Sequence, residues 1–155
     1  MSEPARPNRA RPVHTDWRYL GLVVVGGAVG TALREIVTLS SPSSGLFPAA
    51  TFGINLLGSF LLGVLLESLF RRGPDQGVRR IGRLVLGAGV LGGFTTYSTL
   101  ATDTVTLLAG GQSGTAVLYA LGTVVLGVVA AGVGLVAAAA GHRHFLLDAS
   151  AAGDE

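Results

Sequence analysis

The chain contains no cysteine and no lysine, and it has few charges of either sign. Without cysteine it can form no disulfide, no thiol nucleophile and no cysteine-based zinc site. Charged residues make up only 13% of its 155 residues, whereas 49% are hydrophobic and 24 residues are glycine. This composition is typical of a protein that resides in a membrane and not of a water-soluble domain.

Four apolar stretches reach the length of about 20 residues that a helix needs to cross a bilayer. They predict an all-α, polytopic membrane protein with four transmembrane helices, over about residues 17–39, 47–70, 82–108 and 115–140. Residues 1–16 are rich in proline and arginine, and we expect them to form a disordered tail. Residues 144–155 are expected to form a C-terminal tail that is unstructured from Leu147 onwards.

Small residues recur four positions apart in each of the four stretches. The pairs are Gly26 and Gly30, Ser59 and Gly63, Gly89 and Gly93, and Gly127 and Ala131. Both members of such a pair lie on one helix face, where they let two helix backbones approach closely. The pairs therefore predict a compact bundle. Because four short helices enclose little room for a pore, they also favour a partner chain.

The arginines lie almost entirely on one side of the predicted membrane. All eleven lysine or arginine residues are arginines; ten lie before or at the start of the first stretch, between the second stretch and the start of the third, or after the fourth, and only Arg34 lies towards the other side. Positively charged loops stay in the cytoplasm, so both termini are predicted to be cytoplasmic in a multi-pass protein of the cell (inner) membrane. Membrane lipid explains this charge better than nucleic acid does.

A few polar side chains lie within the apolar stretches. Thr51, Asn55 and Ser59 are four residues apart and share one face of the second helix, as Tyr119 and Thr123 do in the fourth. Such a stripe can hydrogen-bond a neighbouring helix, or it can offer donors that replace the water around an anion. The residues alone leave both interpretations open.

The third stretch is interrupted by GGFTTYST, residues 92–99, in which two glycines precede a run rich in hydroxyl groups. Gly92 and Gly93 leave helical geometry at little cost, so this stretch is predicted to form two short helices. Carbonyl groups freed between Gly92 and Thr95 would need a partner. A buried cation is one solution, and a glycine kink satisfied by threonine hydroxyls is another.

Three motifs in this order, GGAVGTALRE, TFGINLLGSFLLG and GGFTTYST, resemble the fluoride channel family known as Fluc or CrcB. The resemblance covers about residues 17–143, and it implies a passive, fluoride-specific channel that exports cytoplasmic fluoride and is not an enzyme. It also implies an antiparallel dimer with a broken third helix. A structural sodium ion, Na+, which is not transported, would be held by the backbone carbonyls of Gly92 and Thr95.

The same resemblance assigns roles to individual side chains. Arg34 would lie near the vestibule, and Asp103 stands where the family usually has glutamate. The pore-lining residues that it implies are Asn55, Thr51, Tyr97, Ser98, Thr99, Tyr119 and Thr123. From their places near helix ends, Arg34, Glu35 and Asp103 are all expected to be in contact with water.

Two features depart from the family pattern. Tyr97 and Leu100 stand where the family has phenylalanines, and Gly127 stands where it has a second hydroxyl one turn past Thr123. The one-sided arginines also predict a single orientation, whereas an antiparallel homodimer needs a chain that inserts both ways. We therefore expect a heterodimer with a homologous subunit of opposite orientation, with a homodimer as the alternative.

Two other functions remain open. The first is a non-conducting structural subunit of a heterodimeric channel. It remains open because Leu100 and Gly127 lack the aromatic ring and the hydroxyl group that would line a pore. A small multidrug resistance-type exporter is less favoured, because its proton coupling needs a carboxylate within the first helix and Glu35 lies near the end. An enzyme is least favoured, since no nucleophile, base and orienting group converge.

Overall fold

A computed structural model describes residues 17–41 and 47–152, with side chains described as far as Arg143. The predicted disordered tail over residues 1–16 lies outside the described residues. The described part of the chain is helical throughout, apart from short connections. Its elements are α1 (Trp17–Ser40), α2 (Ala49–Arg71), α3 (Val78–Gly82), a π-helical segment (Arg83–Leu91), α4 (Gly92–Phe94), α5 (Tyr97–Ala109) and α6 (Ser113–Ala152).

Within the described ranges, four runs of helix are long and apolar enough to cross a membrane. They are Trp17–Ser40, Ala49–Arg71, Val78–Ala109 and Ser113–Arg143. Their ends lie within about four residues of the predicted ones, because the length of an apolar run sets where a membrane helix begins and ends. The prediction of an all-α chain with four membrane-spanning helices is confirmed.

The C-terminal prediction is wrong in one respect. We expected the chain to be unstructured from Leu147, but α6 continues to Ala152. The physical reason is composition, since residues 142–152 contain neither glycine nor proline and are rich in leucine and alanine, which favour helix. Nothing in this stretch ends the helix that begins in the membrane.

The third crossing, Val78–Ala109, is composite. It begins as α3, widens into the π-helical segment and returns to α-helix in α4. Thr95 and Thr96, which separate α4 from α5, have extended backbones with φ/ψ of −74°/157° and −146°/117°. The π-helical geometry was not predicted from the sequence. Segments of this kind are rare, and they occur frequently at functional sites.

Close helix contacts form where glycines meet backbone, as the small-residue pairs predicted. A Cβ atom on Gly26 would lie 2.6 Å from the Val85 carbonyl oxygen, so α1 can pack on the π-helical segment only without a side chain there. A Cβ on Gly63 of α2 would collide with the Ala131 carbonyl of α6. α1 therefore packs on the third crossing and α2 on α6, and the prediction of a close-packed bundle is confirmed.

Arginine side chains hold the connector between α2 and α3. Arg79 Nε donates to the Pro74 carbonyl at 2.8 Å, and Arg80 Nη2 donates to the Asp75 carbonyl at 2.9 Å. Arg83 Nη2 reaches the Asp75 carboxylate at 2.7 Å. The hydrogen bond from Arg83 holds the pKa of the Asp75 carboxyl below its usual value, since it favours the ionised form. These contacts fix the turn at the arginine-rich end of the bundle.

Candidate pore and the interruption of the third crossing

The interruption between α4 and α5 is stabilised by its own hydroxyl groups. Thr96 is the N-cap of α5, and its Oγ1 accepts a hydrogen bond from the Thr99 backbone N–H at 3.1 Å. The same hydroxyl donates to Thr99 Oγ1 at 3.0 Å. In this way the hydroxyl-rich sequence supplies partners for a helix start deep in the crossing, where water is scarce.

Asn55 of α2 binds the backbone on the other side of the interruption. Its Oδ1 accepts from the Thr96 N–H at 2.8 Å, and its Nδ2 donates to the Thr96 carbonyl at 3.1 Å. This pair of bonds satisfies both backbone groups of an extended residue that no helix can satisfy. The amide retains one N–H group beyond these bonds, because a primary amide carries two.

Arg34 of α1 reaches the carbonyl groups of the interruption. Its Nη1 lies 3.2 Å from the Gly93 carbonyl oxygen and 3.5 Å from that of Thr95, and Thr31 Oγ1 lies 3.4 Å from the same Gly93 oxygen. Gly27 and Gly93 allow this approach, because a Cβ on Gly93 would collide with the Gly27 carbonyl. Arg34 is half-buried, so its side chain binds these backbone oxygens in addition to the contact with water that was expected.

Tyr119 of α6 is fully buried and its hydroxyl donates to Asp103 Oδ2 at 2.9 Å. Its ring packs edge-on against Phe47 with centroids 5.5 Å apart, within a cluster that includes Leu100 and Leu107. Asp103 is half-buried, so its carboxylate binds this tyrosine in addition to the contact with water that was expected. The bond gives the buried hydroxyl the partner it requires. Glu35, in contrast, is exposed as expected.

A groove of about 430 Å³ lies between α2, the third crossing and α6. Its walls are mostly apolar or glycine, with a few polar side chains. The polar ones are Asn55, Ser59, Thr95, Thr96, Tyr97 and Thr123. Apolar walls with a small number of directed polar groups are typical of binding sites and permeation paths.

The structure brings some of the predicted site residues to this groove and places others elsewhere. Gly92, Thr95, Asn55, Tyr97 and Thr123 line the groove. The predicted pore residues that lie outside its lining are Thr51, Ser98, Thr99 and Tyr119, and Arg34 lies on the α1 side of the crossing.

The predicted site residues did not include three further residues, although Ser59 had been placed in the polar stripe of the second helix. Thr96 anchors the interruption, Thr31 joins Arg34 at the Gly93 carbonyl, and Ser59 lines the groove. For Thr31 and Ser59, the spacing along the helix could have indicated a place at the site. Thr31 lies three residues before Arg34, and Ser59 lies four residues after Asn55, so each shares a helix face with a residue that was named.

A chain with four membrane-spanning helices, three of which border a groove, is a multi-pass membrane protein. Residues 21–135 match the family described as CrcB-like protein, Camphor Resistance (CrcB), and the chain belongs to that family. The fluoride-specific ion channel FluC 2 of Leifsonia xyli subsp. xyli is 50% identical to it over 129 residues, which are 82% of this chain and 89% of the relative.

Two further relatives carry the same kind of name. The fluoride-specific ion channel FluC of Thermus thermophilus is 47% identical over 119 residues, 76% of this chain and 91% of the relative. The fluoride-specific ion channel FluC 1 of Cutibacterium acnes is 43% identical over 113 residues, 72% of this chain and 79% of the relative. In each case the match covers most of both chains.

Proposed function

We propose that this protein is a fluoride-specific, passive ion channel that exports fluoride from the cytoplasm and is not an enzyme. The observation that carries the proposal is the 50% identity, over 82% of the chain, to a protein named as such a channel. The groove gives the proposal a physical location, because it crosses the part of the bundle where α2, α6 and the interruption meet.

Passive export needs only a pathway and the membrane potential. Fluoride enters acidified cells as neutral HF and dissociates in the more alkaline cytoplasm, where the anion accumulates. An inside-negative potential favours exit of the anion by about 2.3 kcal/mol per 100 mV. The pathway must replace the tightly held water of a small anion, and the remaining N–H of Asn55, which lines the groove, is one donor available for this purpose.

The interruption supplies the proposed sodium site. Backbone carbonyl oxygens are ligands that hard cations prefer. Because the backbone at Thr95 is extended, its carbonyl lies outside the helical hydrogen-bond pattern. Thr95 and Gly92 of one chain offer only two such oxygens, so a second subunit would have to complete the shell. Arg34 Nη1 shares the Thr95 oxygen at 3.5 Å, a long contact that a bound cation would displace.

The second subunit is proposed to be a homologue of opposite orientation, and both termini of this chain are proposed to be cytoplasmic. The one-sided arginines support a single orientation. Tyr97, on the groove wall, has 81% of its surface exposed within a single chain. A large aromatic side chain in that position is suited to packing against an antiparallel partner.

A non-conducting supporting subunit is the second candidate. Leu100 lines the groove, but it is apolar, only 7% exposed and packed in the cluster around Tyr119, so it offers no donor to a pathway. As a supporting subunit, the chain would complete the sodium site and stabilise a pore formed chiefly by its partner.

The test is fluoride efflux from potassium fluoride-loaded liposomes, started with valinomycin and followed with a fluoride electrode. The chain is reconstituted alone and together with a homologous subunit whose arginines have the opposite asymmetry. We expect efflux of fluoride and none of chloride. Absence of fluoride efflux under both conditions would overturn the channel function. Efflux at full rate from this chain alone would overturn the heterodimer.

Asn55→Asp is the informative variant in this assay. It exchanges the amide donor for a carboxylate that repels both fluoride and the Thr96 carbonyl, so we expect loss of flux. Gln112→Glu makes the same chemical change in the connection between α5 and α6, outside the groove lining, and should conduct normally. Equal flux in the two variants would remove Asn55 from the pathway.

A further inference from the structure

Six threonine hydroxyl groups in the membrane-spanning runs that the structure describes bond back to their own helix. Each donates to the carbonyl four residues earlier, as in Thr38, Thr95, Thr102, Thr104, Thr106 and Thr123. This back-bonding satisfies a hydroxyl that has no water nearby. Ser59, in the middle of α2, makes no such bond to any of the described residues, and its half-buried side chain lines the groove.

The groove has few other hydroxyl protons to offer. Thr123 donates to the Tyr119 carbonyl at 2.6 Å, and Thr95 donates to the Leu91 carbonyl at 3.0 Å. The Thr96 hydroxyl is held by Thr99. An anion in the groove therefore meets threonine oxygens whose protons point elsewhere, whereas the hydroxyl protons of Ser59 and of the largely exposed Tyr97 are uncommitted within the described structure.

The residue that faces Ser59 across the groove is Gly127, which has no side chain. A Cβ atom placed on Gly127 would meet only one atom outside its own helix within 4 Å, Ser59 Oγ at 3.4 Å. Gly127 lies one turn after Thr123 on the same face of α6, just as Ser59 lies one turn after Asn55 on α2. At Gly127, α6 therefore contributes no polar group to the groove, and the Ser59 hydroxyl of α2 lies next to this position.

We infer that Ser59 contacts fluoride in the groove and provides from α2 the hydroxyl donor that α6 lacks at Gly127. Together with the uncommitted N–H of Asn55 one turn away, it would give a small anion two successive donors on a single helix face. This inference rests on the proposed channel function. It extends that function by naming a donor on α2 at the level where α6 has none.

The experiment compares fluoride efflux from liposomes containing the wild-type chain, Ser59→Ala, Ser59→Thr, and Ser59→Ala combined with Gly127→Ser. A hydrogen bond to a charged group justifies an expected loss of about tenfold or more for Ser59→Ala. Ser59→Thr keeps the hydroxyl and should retain flux. Gly127→Ser moves a hydroxyl to the facing helix and should restore most of the flux lost in Ser59→Ala.

Ser68→Ala is the matched control, because Ser68 is half-buried in the same helix but does not line the groove. Its flux should equal that of the wild type, and all variants should elute as the same species in detergent. Unchanged flux in Ser59→Ala, or loss that neither hydroxyl-bearing variant restores, would overturn the inference. Absence of flux in the wild type, alone and with its partner, would instead overturn the channel function itself.

Discussion

At the scale of single residues, most of the polar side chains that the structure describes are bonded to one another or to backbone. Asn55 illustrates how a structural and a functional role coexist. Its carbonyl and one N–H hold Thr96, which fixes the amide in place, and the second N–H is thereby presented in a defined direction. A donor that is already held in place loses little conformational entropy when it binds an ion.

Tyr119→Phe is predicted to destabilise the protein. It removes the hydroxyl that donates to Asp103 at 2.9 Å and leaves a half-buried carboxylate without that partner. The expected loss of stability is about 1–3 kcal/mol, measurable as a lower melting temperature in detergent. Tyr19→Phe, near the start of α1, is the control and should melt like the wild type. Equal melting of both variants would show that the Tyr119 hydroxyl contributes no stability.

At the scale of helices, backbone contact between glycine-bearing faces sets the geometry. α2 packs on α6 with Gly63 against the Ala131 carbonyl, and Gly134 stands in the same relation to the Phe60 carbonyl. The atoms in contact belong to backbone, which cannot rotate out of the way as a side chain can. A methyl group at such a position must separate the two helices.

Gly63→Ala is therefore predicted to be strongly destabilising. Overpacking against backbone costs about 1–3 kcal/mol or more, and we expect a lower melting temperature and loss of fluoride flux, because the groove lies between the same two helices. Gly132→Ala is the control, since a Cβ atom there meets nothing within 4 Å. If the two variants melted at the same temperature, the close approach of the helices at Gly63 would contribute nothing to the stability of the protein.

At the scale of the whole molecule, charge asymmetry is predicted to decide orientation. Ten of eleven arginines flank the membrane on one side, so reporter fusions at either terminus should show cytoplasmic location. A fluorescent protein fused at the C-terminus should fluoresce, and alkaline phosphatase in the same place should be inactive. Comparable activity of both reporters would indicate insertion in two orientations and would favour a homodimer.

The sequence alone determined the number of crossings, their approximate ends and the close packing of their glycine faces. These features depend on local composition and spacing, which apolar length and small residues report directly. The π-helical segment, Arg83–Leu91, was not foreseeable in this way. Its sequence is as apolar as that of its neighbours, and the wider turn occurs where α1 packs against Gly89.

Only the tertiary structure decided which polar groups meet. Asn55 and Thr96 are 41 residues apart in the chain, and Arg34 and Gly93 are 59 apart. Spacing within one helix shows that a residue shares a face with another, but it does not show which helix that face will contact. The same limit applied to Ser59, whose place opposite Gly127 became visible only when α2 and α6 were packed together. Local propensity sets each helix, whereas the partners of a buried donor follow from how the helices pack.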